Sequence, residues 1–179
     1  GKKLMFMGQE FAQVKEWDYK SELDWTLLQY ESHRSVKNCV EKLNKFYLEN
    51  SPFWEDDYSW NGFSWISNDD YTQSIIAFRR IDKSGNEIVT ICNFVPVKRT
   101  GYRIGVPYEG AYEEVFNTDA AEFGGSGEVK NGKVKTEDYA MHGYGQSITV
   151  DIPPMSVMYF KFVPVKKRKP RTKKEDISA

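Results

Sequence analysis

The sequence predicts a mainly β protein. A C-terminal all-β sandwich is expected, preceded by the last strand–loop–helix unit of an α/β domain. Three observations carry this. Beyond Pro52, short apolar stretches recur between Gly-, Pro- and Asn/Asp-rich punctuation with no helical period, which is how an antiparallel sandwich reads. One segment, roughly 34–49, places apolar residues at helical spacing. The run Leu4-Met5-Phe6-Met7 is apolar without alternation, between Lys2-Lys3 and Gly8, as in a strand covered on both faces of a parallel sheet. Such a strand needs parallel neighbours and crossover helices, and the chain offers one helix. Position 1 is Gly rather than Met, so the chain is expected to be the C-terminal part of a longer protein.

Each element follows in order. The strand at 4–7 ends at Gly8, and a long loop with interleaved aromatics (Phe11, Trp17, Tyr19, Trp25) runs to about Ser32. The helix over 34–49 gathers Val36, Cys39, Val40, Leu43, Phe46 and Tyr47 on one face, with Ser32 or Ser35 as cap. Asn50-Ser51-Pro52 stops it, because proline lacks an amide donor and disfavours helix before it. Strands are then predicted over 62–66, 73–81, 87–95, 102–106, 112–117, 147–152 and 155–163, with a hairpin loop at 82–86. The Gly-rich polar stretch 123–135 reads as a mobile loop. Three parts result: 1–52, 53–163 and a basic tail, 164–179.

Composition narrows the class. The 179 residues are 40% hydrophobic with mean hydropathy −0.64, as in soluble globular proteins rather than disordered ones. No apolar run approaches the roughly 18 residues that span a bilayer, so no membrane partner is expected. Net charge is −1, unevenly placed: seven of the 25 Lys+Arg and two of the 26 Asp+Glu lie from 166 onward, leaving 18 basic against 24 acidic residues. An acidic body argues against a nucleic-acid domain, and the tail KKRKPRTKK reads as a solvated terminus. Cys39 and Cys92 fall in a helix and a strand pattern and read as buried structural thiols. With no disulfide framework, a cytoplasmic setting is expected.

The N-terminal motifs carry a family resemblance. The run KKLMFMGQEFAQ, then Glu16-Trp17, then Leu23-Asp24-Trp25, resembles the 1,4-α-glucan (glycogen) branching enzymes of the α-amylase superfamily. Their pattern here has Asn where this chain has Gln9, another amide. The resemblance continues in Gly85-Asn86-Glu87, Asn93-Phe94-Val95-Pro96-Val97, Asn117-Thr118-Asp119 and Pro153-Pro154, and covers residues 1 to about 163. It implies that 1–52 is the end of a catalytic (β/α)8 barrel and that 53–163 is the sandwich closing such enzymes. It also implies an activity of the whole protein: cleavage of an α-1,4-glucan and transfer of the chain to a 6-hydroxyl, giving an α-1,6 branch through a glycosyl–carboxylate intermediate. The catalytic carboxylates of that family lie on earlier barrel strands, upstream of Gly1. No catalytic residue is therefore assigned here, and no cofactor or metal is implied. The implied partners are α-1,4-glucan or glycogen and the upstream barrel. Two alternatives stay open: an amylase-type or debranching hydrolase, and a non-catalytic glucan-binding sandwich.

Glu10, Trp17 and Trp25 are the candidate substrate-proximal residues. They sit on the loop after the last barrel-like strand, the face on which barrel active sites are built. Glu10 can orient a neighbour or a sugar hydroxyl, and the tryptophans can offer flat faces to sugar rings. Trp54, Trp60 and Trp65 are expected to pack the junction with the sandwich. Asp56-Asp57 and Asp69-Asp70 read as solvated loop pairs. His33 and His142 have no ligand-spaced partner, which argues against zinc. Gly124-Gly125-Ser126-Gly127 lacks the Lys-Ser/Thr of a phosphate loop. Residues 1–179 alone should neither branch nor hydrolyse amylose. Iodine staining and a reducing-end assay check this, and turnover that survives further purification would contradict it.

Overall fold

Alternation decides which way each strand faces. In Ile75-Ile76-Ala77 the first and third side chains are buried and Ile76 is less so; Ile148, Val150 and Ile152 repeat the pattern, as do Met158 and Phe160. A pleated strand sends alternate side chains to opposite faces, so these sets meet only if two sheets stack. The computed structural model, which describes residues 3–15 and 18–164, has that arrangement.

Eight strands form the sandwich: β1 (Phe63–Asp70), β2 (Ile75–Ile81), β3 (Glu87–Asn93), β4 (Arg99–Val106), β5 (Ala111–Asn117), β6 (Lys133–Lys135), β7 (Gln146–Ile152) and β8 (Ser156–Val163). One sheet has the order β1-β2-β3-β8-β5-β6 and the other pairs β4 with β7. Every pairing is antiparallel. The core lies between them: Ala77, Val89, Ile91, Tyr112, Met158 and Phe160 against Ile104, Val106, Ile148, Val150 and Ile152. Between Trp65 and Ser67 the register of β1 slips, so consecutive residues Ile66 and Ser67 are both buried. Gly105 lets the 141–144 turn approach β4: a Cβ there would lie 2.0 Å from the Met141 carbonyl oxygen.

A third layer covers the larger sheet from outside. Helix α1 (Glu31–Glu49) lays Phe46 on Phe116 of β5 and Tyr159 of β8, with centroids 5.3 and 5.4 Å apart. Phe53, from the short 3₁₀ turn Ser51–Phe53, closes on Phe46 and Tyr159 at 5.4 and 5.7 Å. That turn packs on β2 and β3. β3 is therefore buried at every residue, and it is this strand, not 4–7, that is covered on both faces.

Several buried polar groups tie strands together, while the Thr90 hydroxyl on β3 has no hydrogen-bond partner. Glu87 accepts from Arg79 Nη1 at 2.8 Å and from the Tyr112 hydroxyl at 2.9 Å, joining β2, β3 and β5. Burial pushes the Glu87 carboxyl up in spite of these donors. Asn93 ends β3 by donating to the carbonyls of Val97 and Pro153, both at 2.8 Å. Asp82 accepts from Ser51 Oγ at 2.5 Å, from Asn86 Nδ2 and N at 2.8 Å, and from Ser84 N at 3.0 Å. Burial pushes its carboxyl up, but these four donors outweigh burial and hold it below the usual carboxylate range.

Several expectations are corrected. No strand forms at Leu4-Met5-Phe6-Met7; residues 3–6 have no regular structure and Leu4 is 86% exposed. A strand exists only where another backbone pairs with it, and none lies beside this segment among the described residues. The helix begins at Glu31, after Tyr30, and no side chain caps it; Ser32 and Ser35 lie inside its first turns. Of the three tryptophans only Trp54 meets the helix, donating from Nε1 to the Leu48 carbonyl at 3.3 Å; Trp60 is 93% exposed, and Trp65 packs on Phe63 and Phe78. Elsewhere the junction uses phenylalanines. Asp57 pairs with Arg80 at 2.6 Å and Asp70 accepts from the Tyr102 hydroxyl at 2.7 Å, so neither is merely solvated. The stretch 123–135 is tied down: Val129 is buried, Asn131 bonds to Glu114 and Asp151, and β6 pairs with β5. The 165–179 part of the basic tail lies outside the described residues.

Two outcomes follow from this packing. Phe46→Ala should cost about 2 kcal/mol in urea unfolding, less than for a fully buried phenylalanine because the ring is only partly buried, and should speed amide exchange in α1 more than in β4 or β7. Asp82→Asn should cost about 2 kcal/mol at neutral pH, because an amide hydrogen then faces the donors. A depressed carboxyl stabilises the fold above its unfolded value, near 3.9, and that contribution is lost as pH falls through the folded value. The gap between Asp82→Asn and wild type should therefore narrow as pH falls below the unfolded value and through the lowered folded one. Urea curves at neutral and at acid pH check it.

Candidate functional site

The loop that carries the candidate residues is a pinned turn, not a free segment. Met7 and Gly8 have positive φ, 33° and 85°, which reverses the chain. A Cβ on Gly8 would lie 2.8 Å from Gln13 Cβ, so glycine is required twice over. The 3₁₀ turn Gln9–Phe11 follows and ends at Ala12 in the left-handed region. The Gly8 carbonyl accepts from Phe11 N at 3.2 Å and Gln13 N at 3.0 Å, while Gln9 Oε1 accepts from Phe6 N at 3.0 Å.

Three contacts hold this turn against the elements that follow. The Phe11 ring is fully buried and lies 5.2 Å from Trp25. Trp25 opens a second 3₁₀ turn, Trp25–Gln29. Gln13 Oε1 accepts from Asp24 N at 2.8 Å. The Phe11 carbonyl accepts from Nδ1 of His33, on α1, at 2.8 Å. The His33 and Gln13 contacts join residues 22 and 11 apart in sequence.

Glu10 and Trp25 thereby stand on two successive 3₁₀ turns joined through the Phe11 ring. Glu10 makes no hydrogen bond or ion pair with a described residue and lines an open hollow of about 680 Å³, with Phe6, Leu23, Lys37 and Asn44 around it. Trp25 is half exposed over Phe11. Trp17 lies outside the described residues. Asp18, just after it, closes a turn; the amide of Lys20 and the hydroxyl of Ser21 donate to its carboxylate and hold it below the usual range. Chemically, the two turns can offer one acceptor carboxylate and one aromatic face. Among the described residues no group of three or more His, Cys, Asp or Glu is placed to hold a metal ion.

Sequence reading selected Glu10, Trp17 and Trp25, and the structure sets Glu10 and Trp25 on two turns that meet where Trp25 packs on Phe11. It missed Phe11, Gln13 and His33 as the residues that hold the turn. His33 was considered there only as a metal ligand. A contact between a side chain and a backbone carbonyl leaves no pattern in the sequence that could have revealed it.

The family model for the alpha amylase C-terminal all-beta domain matches residues 65–163, more than half of the chain. The chain belongs to that family. The matched span runs from within β1 to the end of β8, so the sandwich is this alpha-amylase C-terminal domain. Similarity extends past it in both relatives compared here. The 1,4-alpha-glucan branching enzyme GlgB of Synechococcus sp. (strain RCC307) is 44% identical over 169 residues, 94% of this chain and 22% of that protein. The enzyme of the same name from Aquifex aeolicus (strain VF5) is 46% identical over 162 residues, 90% of this chain and 26% of that protein. The chain thus spans about a quarter of the length of these curated relatives. The crystal structure of the Group B Streptococcus pullulanase SAP superposes with a TM-score of 0.49 at 17% identity, over 79% of this chain and 18% of that one.

Proposed function

We propose that this chain is the C-terminal part of a 1,4-α-glucan branching enzyme. The observation that supports it most is where the similarity falls. Matches covering 90% or more of the chain must take in α1 and the turn Trp25–Gln29 before it, not only the sandwich at 65–163. A shared closing domain alone would leave the N-terminal segment dissimilar.

In this reading residues 1–52 end the catalytic barrel, and α-1,4-glucan or glycogen is the substrate. The reaction cleaves an α-1,4 linkage and forms a glycosyl–carboxylate intermediate. A 6-hydroxyl then displaces the carboxylate to make the α-1,6 bond. The nucleophile and general acid come from the rest of the enzyme. This segment contributes rim and support. Glu10 accepts a hydrogen bond from a glucan hydroxyl, and Trp25, with Trp17, offers a ring face. Such positioning groups act on rate by holding the reacting chain in place. The sandwich, joined to α1 through Phe46, supports the two turns. The free thiols Cys39 and Cys92 favour a reducing cytoplasmic setting. No described helix is long and apolar enough to cross a membrane.

In the full-length enzyme, Glu10→Ala and Trp25→Ala should each lower kcat/KM about tenfold or more, which corresponds to about 1.4 kcal/mol of lost transition-state stabilisation. Their thermal midpoints should stay near wild type. Branch formation, counted as new α-1,6 linkages without new reducing ends, is the readout. A product with raised reducing ends would point to a hydrolase and overturn the reading.

A further inference from the structure

We infer that His33 is a positioning residue, which sets the Glu10-bearing turn by donating a hydrogen bond from Nδ1 to the Phe11 carbonyl. The inference rests on the function proposed above and deepens it.

A carbonyl oxygen can only accept, so Nδ1 must carry the proton in this contact. The bond spans 2.8 Å and is partly buried. It acts at a point where nothing regular supports the chain. The turn Gln9–Phe11 is three residues long, lies between two left-handed residues, Gly8 and Ala12, and belongs to no sheet. Its own bonds, from Phe11 N and Gln13 N to the Gly8 carbonyl, fix its shape but not its place. Placement comes from outside: the Phe11 ring on Trp25, Gln13 on the Asp24 amide, and His33 on the Phe11 carbonyl. Of these, only the His33 bond starts from α1. Both other partners lie at the start of the 3₁₀ turn Trp25–Gln29, outside α1. Phe46, thirteen positions further along the same helix, is packed on β5 and β8. His33 is thus a direct hydrogen-bonded link between the Glu10-bearing turn and the rigid body of the protein, while Lys3 and Met5 meet Asn44 of α1 further up the chain. Glu10 precedes the clamped residue directly, so a shift at Phe11 moves its carboxylate.

Conservative variants separate this role from simple packing. The side-chain nitrogen of asparagine lies as many bonds from Cα as imidazole Nδ1; that of glutamine reaches the Nε2 position instead. In the full-length enzyme, His33→Ala and His33→Gln should lower kcat about tenfold with KM within about twofold, the scale of one misplaced transition-state contact. His33→Asn should stay within about threefold of wild type. In chain 1–179, amide exchange at Phe11, Ala12 and Gln13 should quicken in His33→Ala and His33→Gln but not in His33→Asn. Equal losses in His33→Asn and His33→Gln overturn the inference, and so does wild-type kcat in His33→Ala and His33→Gln whatever the exchange shows. If the wild-type enzyme makes no α-1,6 linkages, the function proposed above fails instead. The exchange pattern then decides alone: the Asn–Gln difference supports the clamp, and its absence overturns it.

Discussion

The seating of Phe46 on the outer face of the six-stranded sheet is the contact on which the rest of the arrangement depends. Its ring meets Phe116, Tyr159 and Phe53 together. Without it, α1 is a surface helix with one amphipathic face, and such helices gain most of their stability from packing rather than from propensity. Secondary ties reinforce the seat: Asn38 and Lys42 both reach Glu122 beyond β5, and Ser51 reaches Asp82 in the β2–β3 turn. Because α1 is fixed at one end to the sandwich and holds the Phe11 carbonyl near the other, the N-terminal turn takes its place from a β-domain it does not join.

The sandwich spends its buried polar groups on register. Glu87 touches Arg79 and Tyr112 on two other strands, and a one-residue slip of β3 would turn it to the opposite face. The buried Arg79 and Arg80 pairs are weak grounds for stability, since desolvating two charges offsets most of their attraction. Asn93 and Asp82 close the two ends of β3 by hydrogen bonds to backbone or neighbouring side chains. The central strand is thus held at both ends as well as on both faces, which suits a domain that supports something else.

The candidate site shows a different economy. Two turns carry an acceptor and a ring, and three contacts hold them, but no pair of groups on them suits bond-breaking by itself. The accessory role proposed above is consistent with both facts. It is also consistent with Leu4, Phe6 and Trp25 being exposed here while Phe11 is fully buried. Phe11 is enclosed, with Trp25 over its ring, whereas the others keep much of their surface open.

Much of the architecture was legible because local periodicity reports burial. Alternation in 75–81 and 147–152, the helical stripe ending at Phe46 and Tyr47, and the stop at Pro52 each reflect a side chain's relation to its own neighbours. The order of motifs from Gln9-Glu10 to Leu23-Asp24-Trp25 likewise pointed to the site and to a family. What the sequence could not settle was which apolar run is covered on both faces. Leu4-Met5-Phe6-Met7 and Ile88-Val89-Thr90-Ile91-Cys92 read alike, yet only the second has strands on both sides and a helix-bearing layer above. Strand formation needs a partner backbone, and partners are chosen by the whole fold. For the same reason Asp57 and Asp70 looked like loop pairs until Arg80 and Tyr102 arrived from other strands. Only the tertiary structure could bring His33 to Phe11, because a hydrogen bond to a backbone carbonyl depends on position in space and not on the identity of the residue that offers it.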